Sequence, residues 1–249
     1  MKKTKIIIII LIVLAAIIGI YLNRAYAYIY SKFDLIQPPD YSSYMTTKIL
    51  ADQSKILTYV AIGDSLSSGV GASSVSASLP ALLAEKISDE KGLVVQVKNL
   101  GVPGAISFDI LTGQIIEVKQ YNPQIITLFI GTNDLHNFVP LEKFKSNLLA
   151  AINSLKQTTS AEIYLINLPY LGAKDLVLPP YDLYFELQLK RYNAVIAKVA
   201  QETGVKLVDL YSASDKPFRT NQNLYCLDRF HPSDAGYALW ADMIYAQLK

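Results

Sequence analysis

From Lys55 onward, short apolar runs alternate with amphipathic stretches, and few folds satisfy that pattern. Ile56–Ile62, Leu93–Asn99, Gln124–Ile130, Glu162–Leu168 and Val205–Leu210 are six or seven residues long and rich in Val, Ile and Leu. That length and composition predict buried strands. Between and after them, Leu79–Ser88, Ile106–Gln120, Leu141–Lys156, Tyr184–Thr203 and Pro232–Leu248 carry apolar residues at helical spacing. Phe144, Leu148, Leu149, Ile152 and Leu155 mark one face of the third of these. Gly204 suits a helix stop, and Pro232 is tolerated in a first turn. Apolar strands joined through helices predict an α/β fold, a parallel sheet with helices on both faces. Pro169–Tyr181 and Tyr211–Phe230 lack periodicity and are predicted as long loops, which in a compact domain are often functional.

The amino terminus obeys a different rule. Ile6–Leu22 is an uncharged run of 17 residues, preceded by Lys2, Lys3 and Lys5. A run of that length sits at the short end of what spans a bilayer. Ala25-Tyr26-Ala27 also has the small-x-small form of a signal cleavage site, so an uncleaved anchor and a cleaved signal both fit. The run is longer than an ordinary signal core, and Tyr21, Tyr26, Tyr28 and Tyr30 fall where interfacial aromatics sit, which favours the anchor. Either way the lysines stay inside and the rest is extracytoplasmic. The predicted organisation is a segment at 1–22 as anchor or signal, a juxtamembrane linker at 23–55 with a short helix, and the α/β domain at 56–249.

Composition removes several function classes. Without the three leading lysines, 20 basic residues face 21 acidic ones, so nothing supports a nucleic-acid footprint. Cys226 is the single cysteine. It allows no intrachain disulfide and no zinc pattern, and reads as a small buried hydrophobe. No phosphate-cradling G-x-x-x-x-G-K-[ST] occurs, Gly69-Val70-Gly71 does not extend to G-x-G-x-x-G, and there is no G-x-S-x-G elbow.

In open α/β sheets, ligands bind beyond the carboxyl ends of the strands. The first strand is followed by Gly63-Asp64-Ser65-Leu66, the second ends in Asn99-Leu100-Gly101 with Gly104 after it, and the third runs into Gly131-Thr132-Asn133-Asp134. One rim thus receives a serine, a glycine turn and an asparagine, which suits a nucleophile with donors for an oxyanion. A serine hydroxyl needs a base. His231 lies just before the last helix, with Asp228 three residues ahead, able to fold back and orient the imidazole. Asp234 is close enough to compete for that part. The other histidine, His136, lacks an evident orienting partner and reads as a pocket-lining or surface residue.

Taken together, these residues resemble the SGNH hydrolases, also called GDSL esterases and lipases, from about Lys55 to the C-terminus. Ser65, Gly101, Asn133 and His231 stand at the family's four defining positions, and Ala235-Gly236-Tyr237 follows the histidine. The resemblance implies a flavodoxin-like three-layer α/β/α sandwich with a five-stranded parallel sheet, and ester hydrolysis without a metal or other cofactor. It implies Ser65 as nucleophile, His231 as base and Asp228 as its partner, with the N–H groups of Ser65 and Gly101 and the Asn133 side chain as oxyanion hole. Tyr170, Leu176, Val177, Leu178 and Tyr181 form an apolar, aromatic stretch that could cover an acyl chain or simply pack on the next helix. The expected substrates are lysophospholipids, thioesters or short-acyl esters. The alternatives are acetyl groups on an extracytoplasmic polysaccharide or peptidoglycan, or a binding protein without catalysis on the same scaffold.

Overall fold

A strand that is apolar throughout must be covered on both faces, and the sheet here meets that demand. The computed structural model describes residues 2–31, 36, 38–39, 45–46, 56–173 and 176–248. Its strands are β1 (Met45–Thr46), β2 (Ile56–Gly63), β3 (Val94–Asn99), β4 (Ile125–Phe129), β5 (Glu162–Ile166) and β6 (Lys206–Val208), in the order β1-β3-β2-β4-β5-β6. The last five are mutually parallel, and β1 adds antiparallel to β3. Counting only the parallel strands, the order is the flavodoxin-like 2-1-3-4-5.

The helices are α1 (Lys2–Tyr30), α2 (Ser65–Ser68), α3 (Leu79–Lys91), α4 (Asp109–Thr112), α5 (Gln114–Val118), α6 (Thr132–His136), α7 (Leu141–Thr158), α8 (Tyr181–Thr203), α9 (Leu210–Thr220) and α10 (Asp234–Tyr245). α3 packs with α10, and α9 lies beside α10; α4 and α5 pack on α7, which packs on α8. Between these layers β4 is buried at every residue. Val60, Ile62, Val95, Ile126, Leu128 and Leu165 are wholly removed from solvent. Each such side chain stabilises by about 1.5–3 kcal/mol relative to exposure.

Three expectations change. The Ile106–Gln120 helix is broken into α4, α5 and a turn of 3-10 helix because Gly113 leaves helical geometry at φ −126°, ψ −86°. The Tyr211–Phe230 stretch is not a loop throughout: α9 occupies its first half, with Leu210, Ser214 and Phe218 buried one turn apart. The last helix starts at Asp234 rather than Pro232, with Ser233 as its cap. In the segment expected to be a linker, α1 continues unbroken to Tyr30, and most of residues 32–55 lie outside the described residues.

Candidate active site

β2 delivers Ser65 through a turn that only glycine can make. Gly63 has φ +152°, and a Cβ there would lie 2.0 Å from the Phe129 carbonyl oxygen and 2.4 Å from Ser67 Oγ. Asp64 caps α2 by accepting from the Leu66 N–H at 3.0 Å, and Ser65 is the first residue of that helix, 7% exposed. Gln114, which the sequence reading passed over, clamps the turn. Its side chain accepts from Gly63 N and donates to Gly63 O, both at 2.8 Å. Its only sequence signal is a glutamine on the buried side of a helix.

The histidine arrives on a tight turn ahead of α10. Cys226 N–H donates to His231 O at 2.8 Å, closing the turn. Inside it, Asp228 Oδ1 accepts from the N–H groups of Phe230 and His231 at 2.8 and 2.9 Å and from Cys226 Sγ at 3.1 Å. Oδ2 meets His231 Nδ1 at 2.5 Å, and His231 Nε2 meets Ser65 Oγ at 2.8 Å. Burial works to raise the Asp228 pKa, but the bond to His231, its charge and the two backbone N–H groups carry it below the ordinary carboxylate value. An ionised Asp228 accepts the Nδ1 proton, which leaves Nε2 as acceptor for the serine hydroxyl. Asp234 has other work: it accepts from Ser73 N at 2.8 Å and from Ser73 Oγ at 2.5 Å. Burial, with the Asp228 charge next, pushes the Cys226 thiol up to about 12, so it stays a thiol.

Asn133 and Gly101 reach the same rim from β4 and β3. Asn133 Nδ2 donates one hydrogen to Ala105 O at 3.0 Å, which leaves its second. Gly101 N–H already donates to Asn99 Oδ1 at 2.9 Å, so an oxyanion would have to share it. A Cβ at Gly101 would fall 2.6 Å from Ser68 N, which gives this glycine a packing reason of its own. Asn99 Nδ2 donates to Ser67 O at 2.8 Å and ties the β3 loop to α2. Behind Asn133, Asp134 accepts from Ser107 N at 2.8 Å and Ser107 Oγ at 2.5 Å, and Asn147 Nδ2 donates to that Oγ at 2.9 Å. Asp134 stands in the motif after the third strand, but its partners Ser107 and Asn147, like Gln114, were not singled out from sequence.

Two buried titratable groups stand beside this machinery. Burial, with the Asp134 charge adding to it, pushes Asp64 up to about 7; its Oδ2 has no hydrogen-bond partner. Burial, then the proximity of His231, pulls His136 down to about 4, so its ring is neutral. His136 lies 5.3 Å from the rings of both Phe185 and Phe230, and Phe230 is 5.0 Å from His231.

The apolar stretch divides. Tyr170, Val177 and Leu178 line a cavity of about 620 Å³, with Leu171, Pro179 and Phe185. Leu176 is instead fully buried, and Tyr181 packs on Tyr26 and Phe185. Ser65 and His231 do not line this cavity; the rings of Phe185, His136 and Phe230 lead from its wall to the histidine. Among the described residues no group of three His, Cys, Asp or Glu is placed to hold a metal ion.

The model of the GDSL-like lipase/acylhydrolase family matches residues 61–239. A GDSL-like esterase of Mycobacterium tuberculosis is 25% identical over 193 residues, which take in 75% of this chain and 60% of that protein. An acetylxylan esterase from Geobacillus stearothermophilus superposes with a TM-score of 0.63 at 21% identity, over 77% of this chain and 94% of that one. An α/β hydrolase from the metagenome of Lake Arreo, Spain, gives a TM-score of 0.64 at the same identity and coverage. These two structures share the fold. The family match runs from the end of β2 into α10, and with it the chain belongs to the GDSL-like lipase/acylhydrolase family.

Proposed function

We propose that this protein hydrolyses carboxylic esters through an acyl-enzyme formed on Ser65. The observation that carries the reading is the continuous line Asp228 Oδ2–His231 Nδ1 and His231 Nε2–Ser65 Oγ, at 2.5 and 2.8 Å. In this reading His231 removes the hydroxyl proton as Ser65 Oγ attacks the ester carbonyl. Asp228 holds the tautomer and stabilises the imidazolium. The tetrahedral oxyanion accepts from the Ser65 N–H and the second hydrogen of Asn133 Nδ2, with Gly101 N–H as a shared third donor. Collapse returns the proton to the leaving alcohol. Water, deprotonated by His231, then releases the acid from Ser65.

The substrates we favour are lysophospholipids, acyl thioesters or short-acyl esters, with the acyl chain directed along Tyr170, Val177 and Leu178. The helix Lys3–Ile29 is long and apolar enough to cross a membrane, and we read it as an uncleaved anchor with residues 56–249 outside the cytoplasm. Ala25-Tyr26-Ala27 lies inside continuous helix with Ala25 only 2% exposed, which supports retention of the segment. A second reading, removal of acetyl groups from an extracytoplasmic polysaccharide, draws on the similarity to an acetylxylan esterase.

The test is the full chain in detergent micelles on p-nitrophenyl esters from acetyl to dodecanoyl, with Ser65→Ala as control. A Ser65-dependent maximum at medium or long chains supports the lipid or thioester reading. A Ser65-dependent rate confined to acetate supports the polysaccharide reading. A rate that survives Ser65→Ala unchanged overturns both.

A further inference from the structure

The amino-terminal helix does not hang free of the domain. From Ile6 to Ile20 its large apolar residues are 48–63% exposed, on every side of the helix. Then the surroundings change within one turn. Ala25 and Ile29, four residues apart, are 2% and 1% exposed. Tyr21 Oη donates to Pro179 O at 2.8 Å. The Tyr26 ring stacks 6.3 Å from Phe138 and lies 5.6 Å from Tyr181. The last two turns of α1 are therefore part of the folded domain, and the point where the helix leaves the domain is set.

That point fixes where a bilayer would begin. The uncharged run Ile6–Leu22 spans about 25 Å as helix, slightly less than the hydrocarbon thickness of about 30 Å. A span this short has no residues to spare as a tether. Pro179, the acceptor of the Tyr21 hydrogen bond, must then lie within the headgroup region.

The surface around that point is apolar in a way the soluble fold does not need. Phe138 is 51% exposed, Leu183 62%, Leu187 52% and Tyr184 37%. Leu183 and Leu187 lie one turn apart near the start of α8, and the Tyr184 ring is 5.9 Å from Phe138. Phe138 also has φ +56°, a left-handed conformation that a bulky side chain rarely adopts. The backbone thus accepts strain at a residue that leaves half of its ring uncovered by the domain. An apolar collar of this kind, rimmed by polar residues, marks a surface with a partner.

We propose that Phe138, Leu183, Tyr184 and Leu187 form a second membrane contact, a collar that seats the domain in the bilayer surface around the exit of α1. The partner is the lipid bilayer, because the helix that crosses it leaves the domain against Phe138, Pro179 and Tyr181, at the start of the helix that carries Leu183 and Leu187. The contact fixes the tilt of the domain and brings Pro179 and Leu178, two residues of the cavity lining, to the lipid surface. It rests on the anchor reading and not on the esterase chemistry.

Full-length protein in liposomes containing bromine-labelled phosphatidylcholine tests it. Single variants Leu183→Trp, Leu187→Trp, Leu14→Trp and Lys91→Trp are read by tryptophan emission, with the signal of buried Trp240 subtracted from wild type. Lys91 is exposed just before β3, at the opposite end of the sheet from the collar. Interfacial apolar faces enter about 5–10 Å into the headgroup and acyl boundary, so Leu183→Trp and Leu187→Trp should lose roughly half or more of their emission to shallow bromines. Lys91→Trp should lose none, and Leu14→Trp should be quenched by deep bromines. Quenching of Leu14→Trp with no quenching at 183 and 187 overturns the collar and leaves the anchor standing. No quenching at Leu14→Trp overturns both.

Discussion

The rim around Ser65 and the cavity beside α8 are neighbours, yet opposite kinds of chemistry hold them. At the rim, polar atoms are matched one by one. Asp228 places four donors on two oxygens, Gln114 holds both backbone groups of Gly63, and Asn99 bridges two loops. Beside α8, apolar shape dominates: Val177, Leu178, Phe185 and Leu189 enclose most of the space, and the polar part of the lining includes the Arg219–Glu186 ion pair. Hydrogen-bonded geometry tolerates almost no substitution. Apolar enclosure tolerates many and changes preference gradually. The two regions should therefore answer mutation on different scales.

The largest loss should come at Ser65. Removing a triad nucleophile costs on the order of 10⁶ in kcat, and Ser65→Ala should approach that, as steady-state rates on the preferred ester will show. Asp228→Asn should follow at about 10⁴, since the amide keeps the shape but presents its N–H to Nδ1 and favours the wrong tautomer. A loss under about tenfold would mean that the Asp228–His231 bond is structural and not catalytic. Asn133→Ala should slow turnover by about 10²–10³ with the melting temperature held, and a rate within about threefold of wild type would remove Asn133 from the oxyanion role.

Smaller effects belong to the cavity. Val177→Trp should cut activity on long-chain esters by about 10–200-fold, the range for a mismatch in an apolar pocket, while sparing acetate. Equal loss at every chain length would dissociate the cavity from substrate.

The mildest change concerns stability and pH. Asp64 is raised from 3.8 to about 7 in the folded protein, so the native state binds its proton more tightly than the unfolded chain. Its contribution is full below about pH 4 and is lost as pH rises through 7. Asp64→Asn keeps an oxygen for the Leu66 N–H and cannot ionise. Its advantage over wild type in thermal melts should therefore appear between pH 4 and 7 and persist above. Each kcal/mol gained corresponds to about 2–4 °C in a protein of this size. A gap independent of pH would show that Asp64 is ionised throughout.

The same contrast explains what could be read in advance. Strand ends carrying Gly63-Asp64-Ser65, Gly131-Thr132-Asn133 and the Asp228–His231 spacing stand out because unusual backbone turns and polar chemistry demand particular residues at fixed offsets. The five parallel strands fall within two residues of their expected limits at each end, since continuous apolar runs leave little choice. α9 was hidden because its sequence, LYSASDKPFRT, buries only every fourth residue and includes Pro217. The break at Gly113 was hidden because apolar residues on both sides keep the helical period. Gln114 and Asn147 show in the sequence only as polar residues on a buried helix side: their importance comes from partners 51 and 40 residues away in the chain. The docking of α1 arises only when Pro179, Tyr181 and Phe138 meet Tyr21 and Tyr26.

Whether Ser65 is an activated nucleophile can be asked without knowing the substrate. The full-length protein is treated with a fluorophosphonate and its intact mass is recorded, with Ser65→Ala and His231→Ala alongside. The expected result is one phosphonyl adduct on the wild-type chain, mapped to Ser65, and none on either variant. An unlabelled wild-type chain, or an adduct that persists in Ser65→Ala, would contradict the catalytic assignment of Ser65.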